Sequence, residues 1–354
     1  RGNSDDSLLV DFRRNGYLES EVEIRRAVEL YERALGTGHP NTINARDDLG
    51  VILMNLPGRD DEAFKLLHDS IAENRAVLGP DHILTACATR NYTTWVLRHY
   101  RPEEARPLIE ETARIWRKIF GENSVDLAMV AHSQAWIPHV RGDYAAAEVH
   151  YREMMSRYQR LSMPPEAAYA LDFGMLLHSV GKSSESETLL RKAVDREDQR
   201  TPELTRRKAR LMNALGCIAL DAGRLPEAEK VLAPVRANLA HIEDSEGCVA
   251  PINAVLRARL RALQGHDQES QALFNEVSDH LAYCVPRRPM QWRHMLPVTA
   301  SFLESRGDLR AAARYREAFA RLNRIARGEM PNWWKEQPSA VATRDASVAP
   351  DFKN

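Results

Sequence analysis

The stretch RLMNALGCIALDAGRLPEAEKVL, residues 210–232, decides the fold. Leu211, Leu215, Ile218 and Ala222 recur at the three- and four-residue spacing of a helix that buries one face. Gly223 ends that segment, a second helix starts just beyond it, and the small residue Ala228 follows five residues after the turn. A small side chain at a fixed helical position lets a neighbouring backbone come close. The stretch therefore reads as helix A, a glycine turn and helix B.

The same unit recurs along the chain. Turn glycines stand at Gly16, Gly58, Gly142, Gly181, Gly223, Gly265 and Gly307. Gly16 to Gly58, and each step from Gly181 to Gly307, is 42 residues, while Gly58 to Gly142 is 84. The absent member falls at Tyr100, where Arg101-Pro102-Glu103-Glu104 is expected to supply the turn through proline. Only Gly142 to Gly181 slips, to 39. Five residues after each turn stands Ala63, Ala105, Ala147, Ser186, Ala228, Ser270 or Ala312, with Glu21 as the exception. A fixed period of roughly 20–50 residues marks stacked repeats.

The linkers between units carry a signature of their own. Leu35-Gly36-Thr37-Gly38-His39-Pro40, Leu78-Gly79-Pro80-Asp81-His82 and Phe120-Gly121-Glu122-Asn123-Ser124 occupy the same place in successive repeats. Glycine after a long apolar residue closes helix B. Asn41-Thr42, Thr85 and Ser124 are expected to cap the next helix A. His39 and His82 belong to this linker and are expected to fix its geometry.

Turn glycine, small residue, the Leu-Gly-x-x-His-Pro linker and the 42-residue period together resemble tetratricopeptide repeats of the kinesin light chain type. The full motif covers residues 16–160, and from about 165 to 325 the helix pairs persist without the linker. Several details resemble bacterial relatives, and Phe302–Arg316 is similar to the last repeat in the tails of bacterial serine/threonine kinases. The resemblance implies an all-α, right-handed superhelix, an α-solenoid of about seven or eight helix pairs. The expected organisation is kinesin-light-chain-like repeats over 1–160, degenerate repeats of the same solenoid over 161–327, and a cap with a fraying tail over 328–354. Ser162-Met163-Pro164-Pro165 marks an expected bend, and Trp333-Trp334 is expected to cover the open end of the array.

In this family helix A lines the concave face, with an Asn pair nine and ten residues before the turn. Carried over by position, the candidates for a peptide-binding groove are Arg90 and Asn91, Asn213, His132, Asp172 and, allowing one inserted residue, Asp47 with Asp48. The pair is incomplete in every repeat, which separates this chain from the family's peptide preference. Side chains that donate and accept can still clamp an extended backbone of any sequence. Arg257 joins the candidates because Arg257, Arg259 and Arg261, with Arg206, Arg207, Lys208 and Arg210, lie on helix A of adjacent repeats. A positive stripe there suits an acidic peptide, and a solvated, salt-laced surface is the blander alternative.

Composition closes other routes. Of 354 residues 44% are hydrophobic and 28% charged, and 49 Lys and Arg face 50 Asp and Glu. Net charge near zero points to neither nucleic acid nor membrane. No apolar run is long enough for a membrane helix. Cys87, Cys217, Cys248 and Cys284 lack paired metal-ligand spacing and are expected as reduced thiols in a cytoplasmic protein. The chain begins Arg1-Gly2-Asn3 without an initiator Met or a charged-then-apolar pattern, so no signal peptide is expected and the sequence reads as a piece of something longer. His132 and His139 are seven apart, whereas two ligands on one helix want four. No phosphate loop, zinc motif or nucleophile elbow occurs. The chain is expected to be a non-enzymatic scaffold or regulatory module, with no cofactor, no metal and a peptide or protein partner; self-association stays open. The alternative is the regulatory part of a bacterial serine/threonine kinase.

Overall fold

The apolar periodicity becomes sixteen α-helices and no strand among the described residues of the computed structural model. These are residues 17–56, 58–201, 203–242, 248–278, 280–330 and 332–335. Gly16 and the tail from 336 lie outside them, as does part of the loop before Cys248. The chain packs as two compact units, one ending at Gln134 and the other beginning at Ala135. No helix among the described residues is long and apolar enough to cross a membrane.

The first unit holds α1 (Tyr17–Leu35), α2 (Pro40–Leu53), α3 (Asp60–Leu78), α4 (Ile83–Arg98), α5 (Pro102–Phe120) and the start of α6 (Asp126–Arg141). From α1 to α5 each helix packs on the next, and helix A members α2 and α4 also touch each other directly. The linkers repeat atom for atom. His39 Nδ1 accepts the Asn41 backbone N–H and His82 Nδ1 accepts that of Leu84, each at 3.2 Å. Thr42 and Thr85 donate back to the carbonyls of Gly36 and Gly79, each at 2.8 Å. The histidines, and not Asn41-Thr42 or Thr85, are therefore the N-caps, while the threonines lock the glycine turn. Ser124 does cap its helix, accepting from the Asp126 N–H at 3.0 Å.

Tyr100 takes the turn itself. Its φ is +57°, in the left-handed region that the turn glycines occupy, and Pro102 opens α5 and does not make the turn. That conformation costs a non-glycine residue about 1–2 kcal/mol. Burial of the ring, 4% exposed, contributes about 1.5–3 kcal/mol and offsets it.

The second unit holds the rest of α6, then α7 (Tyr144–Arg160), α8 (Ala167–Ser179), α9 (Ser183–Arg200), α10 (Arg206–Asp221) and α11 (Leu225–Ala237). It continues through α12 (Val249–Leu263), α13 (Asp267–Ser278), α14 (Leu281–Arg287), α15 (Pro289–Ser305) and α16 (Leu309–Ala326). The slip of the period before Gly181 is a shortened helix A: α8 has 13 residues where α10 has 16, about one turn less. Removing whole turns preserves the buried face. Leu171 and Met175 of α8 still join Leu190, Leu211, Leu215 and Ile218 in one apolar cluster.

Close packing within a repeat depends on a glycine in helix A facing a leucine in helix B. A Cβ on Gly216 would lie 2.5 Å from Leu232 Cδ2, and Gly50 with Leu67 and Gly174 with Leu190 repeat the arrangement. Helix A members α8 and α10 touch, as do α10 and α12. The second unit departs from nearest-neighbour stacking in one respect, because α15 packs against α8. Arg293 of α15 also ties that helix to α6 and α16, donating from Nε to the Val140 carbonyl at 2.6 Å and from both Nη atoms to Asn323 Oδ1. Trp333 and Trp334 are buried, with the Arg287 guanidinium 5.5 Å above the Trp333 ring.

Candidate functional site

The groove candidates divide between the units. Asp48, Arg90, Asn91 and His132 belong to the first, and Asp172, Asn213 and Arg257 to the second.

In the first unit α2 and α4 bring Asp47, Asp48, Arg90 and Asn91 together. Asp47, 2% exposed, accepts from Ser70 Oγ at 2.8 Å and from Asn91 Nδ2 at 2.6 Å. Asn91 thus ties neighbouring helix A members to each other. Asp48 stands beside it with one hydrogen bond, from Asn44 Nδ2 at 3.3 Å. Burial first, then the adjacent Asp47 charge, pushes its carboxyl up to about 8, with Arg90 opposing. Asp47 is also raised, by burial, against the Asn91 and Ser70 hydrogen bonds. Arg90 is half-buried and lies 4.0 Å from the Met129 sulfur. Cys87, one turn before Asn91, is half-buried, and burial pushes its thiol up to about 11. His132 is half-buried on α6.

In the second unit Asn213 is 1% exposed. Its Nδ2 donates to the Val249 carbonyl at 3.2 Å, and its Oδ1 accepts from Asn253 Nδ2 at 2.9 Å. Asn253 also donates to the Leu232 carbonyl. This buried amide relay joins α10 to α12, and its direction is inward, away from a ligand. Asp172 is half-buried on α8; burial, followed by the Asp172 charge, holds the Tyr151 phenol well above its ordinary value. Arg257 lies 3.4 Å from Glu269. Several members of the basic stripe are paired with acids: Arg207 with Glu197, Lys208 with Asp198, and Arg261 with Glu229 and Glu269.

Arg259 is drawn inside, 4% exposed, onto Asp221. Its Nη2 donates to Asp221 Oδ1 at 2.6 Å. The other carboxylate oxygen, Oδ2, lies 2.8 Å from Nε2 of both His178 and His294, and 3.9 Å from Cys217 Sγ. Burial raises the Asp221 carboxyl, but the hydrogen bonds from His178 and His294 and the Arg259 charge outweigh it and hold the group far below the carboxylate range. His178, Cys217, Asp221 and His294 bring one ligand atom each within 4.8 Å of one another, a donor set able to hold a metal ion. Sequence reasoning read Cys217 as an isolated thiol. The one local signal was its spacing of four from Asp221 on a helix; the histidines arrive from α8 and α15.

The tetratricopeptide repeat family model matches residues 42–84 and 95–126. No curated protein matches the chain. Among solved structures, nearly identical TPR-like repeats from a protein of Podosopora anserina designated a kinesin light chain are 18% identical, covering 57% of this chain and 97% of that one, at a TM-score of 0.43. A form of the same repeats carrying a single substitution gives the same identity and coverage at 0.44. The APC/C hetero-tetramer Cut9–Hcn1 is 11% identical over 90% of this chain and 63% of that one, at 0.43. The matched segments fall on the helix-turn-helix units α2 to α5, whose glycine turns and linkers recur as described, and over those residues the chain is similar to tetratricopeptide repeats.

Proposed function

We infer that this chain binds a protein or peptide segment across α2 and α4 of its first unit, tetratricopeptide repeats being generally scaffolds for protein–protein interaction. The observation that supports this reading is the Asp48 carboxyl. It is buried beside a second carboxyl, receives one long hydrogen bond and has Arg90 as its nearby cation. A buried acid with unfilled acceptor sites is costly. Backbone N–H groups or a basic side chain laid across the two helices would fill them, while Arg90 engages a carbonyl or acidic group beside them. Asn44, Arg90 and Thr94 are the partly exposed polar residues of this face.

The test is selection of peptides from a random library on the wild-type chain, then affinities by fluorescence anisotropy for wild type, Asp48→Asn and Arg90→Ala. A hydrogen bond to the Arg90 charge contributes about 1.5–3 kcal/mol, so Arg90→Ala is expected to weaken binding by roughly 10-fold or more, and Asp48→Asn, which replaces a carboxyl held protonated near neutral pH, by a few-fold, for about 0.5–1.5 kcal/mol. Peptides that bind all three proteins equally would remove this face from consideration.

A further inference from the structure

We propose that His178, Cys217, Asp221 and His294 bind one zinc ion, which staples α8, α10 and α15 of the second unit together. Two imidazole nitrogens, a sulfur and a carboxylate oxygen, each from a different side chain, lie within 4.8 Å of one another. Nitrogen and sulfur donors with one oxygen suit zinc, and four protein ligands describe a closed, structural site.

The distances suit the ion. Bond lengths of about 2.0 Å to nitrogen or oxygen and about 2.3 Å to sulfur give tetrahedral edges of about 3.3–3.5 Å. The histidine-to-aspartate edges now stand at 2.8 Å and the sulfur-to-aspartate edge at 3.9 Å. All separations in the set lie within 4.8 Å, so shifts of about half to one ångström, within the reach of side-chain rotation, convert one arrangement into the other.

The hydrogen bonds around the cluster orient its donors. Ser179 Oγ lies 3.3 Å from His294 Nδ1, and His294 Nε2 lies 2.8 Å from Asp221 Oδ2. Without an ion the imidazoles serve Asp221 Oδ2 as hydrogen-bond donors. A metal ion would take the place of those protons and bind His178 Nε2, His294 Nε2 and Cys217 Sγ, which face the same oxygen. Ser183 Oγ holds the far nitrogen of His178 at 2.9 Å, and Arg259 holds Asp221 Oδ1, leaving Oδ2 for the ion. Ligands anchored in this way through their remaining polar atoms are the rule at metal sites.

Cys217 is fully buried, and the His294 and Asp221 side chains are 15% and 17% exposed, so the ion would enter from their side. On binding, the Cys217 thiol proton leaves to solvent as the sulfur–zinc bond forms.

The test is titration of the full chain with cobalt(II), followed by displacement with zinc. One equivalent of cobalt is expected to give the intense visible bands of a four-coordinate site and a thiolate-to-cobalt charge-transfer band, both abolished by one equivalent of zinc. Cys217→Ser should lose the charge-transfer band, while Cys87→Ser keeps it. In competition with a chromogenic chelator, His178→Ala and His294→Ala should bind zinc more than ~100-fold less tightly, and Ser179→Ala roughly 10-fold less. Circular dichroism checks that each variant is folded, and His294→Gln, on the open side, substitutes for any variant that is not. Absence of the charge-transfer band in wild type, or equal zinc affinity in wild type and His294→Gln, would overturn the proposal and leave a proton-linked His–Asp cluster.

Discussion

Gly216→Ala places a methyl group where the packing of α10 on α11 leaves no room. The new carbon would lie 2.5 Å from Leu232 Cδ2 and 2.7 Å from Cγ, about 1 Å inside ordinary carbon contact, and Leu232 is fully buried. Overpacking of this kind costs about 1–3 kcal/mol, while alanine over glycine in a helix returns about 1 kcal/mol. The expected net loss is about 1 kcal/mol. Leu232→Ala alone leaves a cavity and should cost about 2–5 kcal/mol. In the double variant the clashing atoms are gone and the new methyl fills part of that cavity, so the glycine substitution becomes stabilising by about 1 kcal/mol. The two changes should then differ from additivity by about 2 kcal/mol. Urea unfolding followed by far-ultraviolet circular dichroism, compared at equal m values, measures all four corners of the cycle. Additivity within about 0.5 kcal/mol would refute the claim that this glycine is required by close approach.

Gly223→Ala isolates a different cause. A Cβ there meets nothing within 4 Å, but φ is +72°, so the loss should be about 1–2 kcal/mol from the backbone alone, and smaller for Gly223→Asn. Equal losses for the two substitutions by urea unfolding would contradict this. Asn253→Ala strips a donor from Asn213 Oδ1 and from the Leu232 carbonyl, and should cost about 1–3 kcal/mol; a midpoint shift worth under about 0.5 kcal/mol would mean that the relay does not hold the repeats. Asp48 titrates near 8 when folded against an ordinary 3.8, so between these values the folded state holds more protons than the unfolded. Stability should therefore fall as pH rises from about 5 to 8, and Asp48→Asn should flatten that slope. Unfolding midpoints that decline equally in both proteins would show that another group is responsible.

The repeat was legible because its physics is local. A left-handed turn needs glycine, and tight helix pairs need a small residue five positions on, so both recur at a readable period. Tyr100 escaped because burial of its ring offsets a backbone cost that sequence preference alone counts against it. His39 and His82 were legible as linker residues but not as caps, since imidazole lies outside the usual Ser, Thr, Asp and Asn set. Asp48, Arg90 and Asn91 could be placed on one face from the spacing, yet that spacing does not say which polar atoms are already engaged. Asn91 is held by Asp47, and Asn213 by Asn253 and Val249. The His178–Cys217–Asp221–His294 cluster was not legible, because it depends on α15 returning to α8. Nothing in a nearest-neighbour repeat pattern encodes that contact.

The central claim is that a ligand segment crosses α2 and α4. Photo-crosslinking tests it most directly, with a photoreactive residue placed singly at Asn44, at Thr94 or at Lys65, whose side chain is 77% exposed on α3. With a peptide selected on the wild-type chain, crosslinks should form from the Asn44 and Thr94 positions and not from Lys65. Crosslinking from Lys65 alone would place the ligand on helix B and contradict the account.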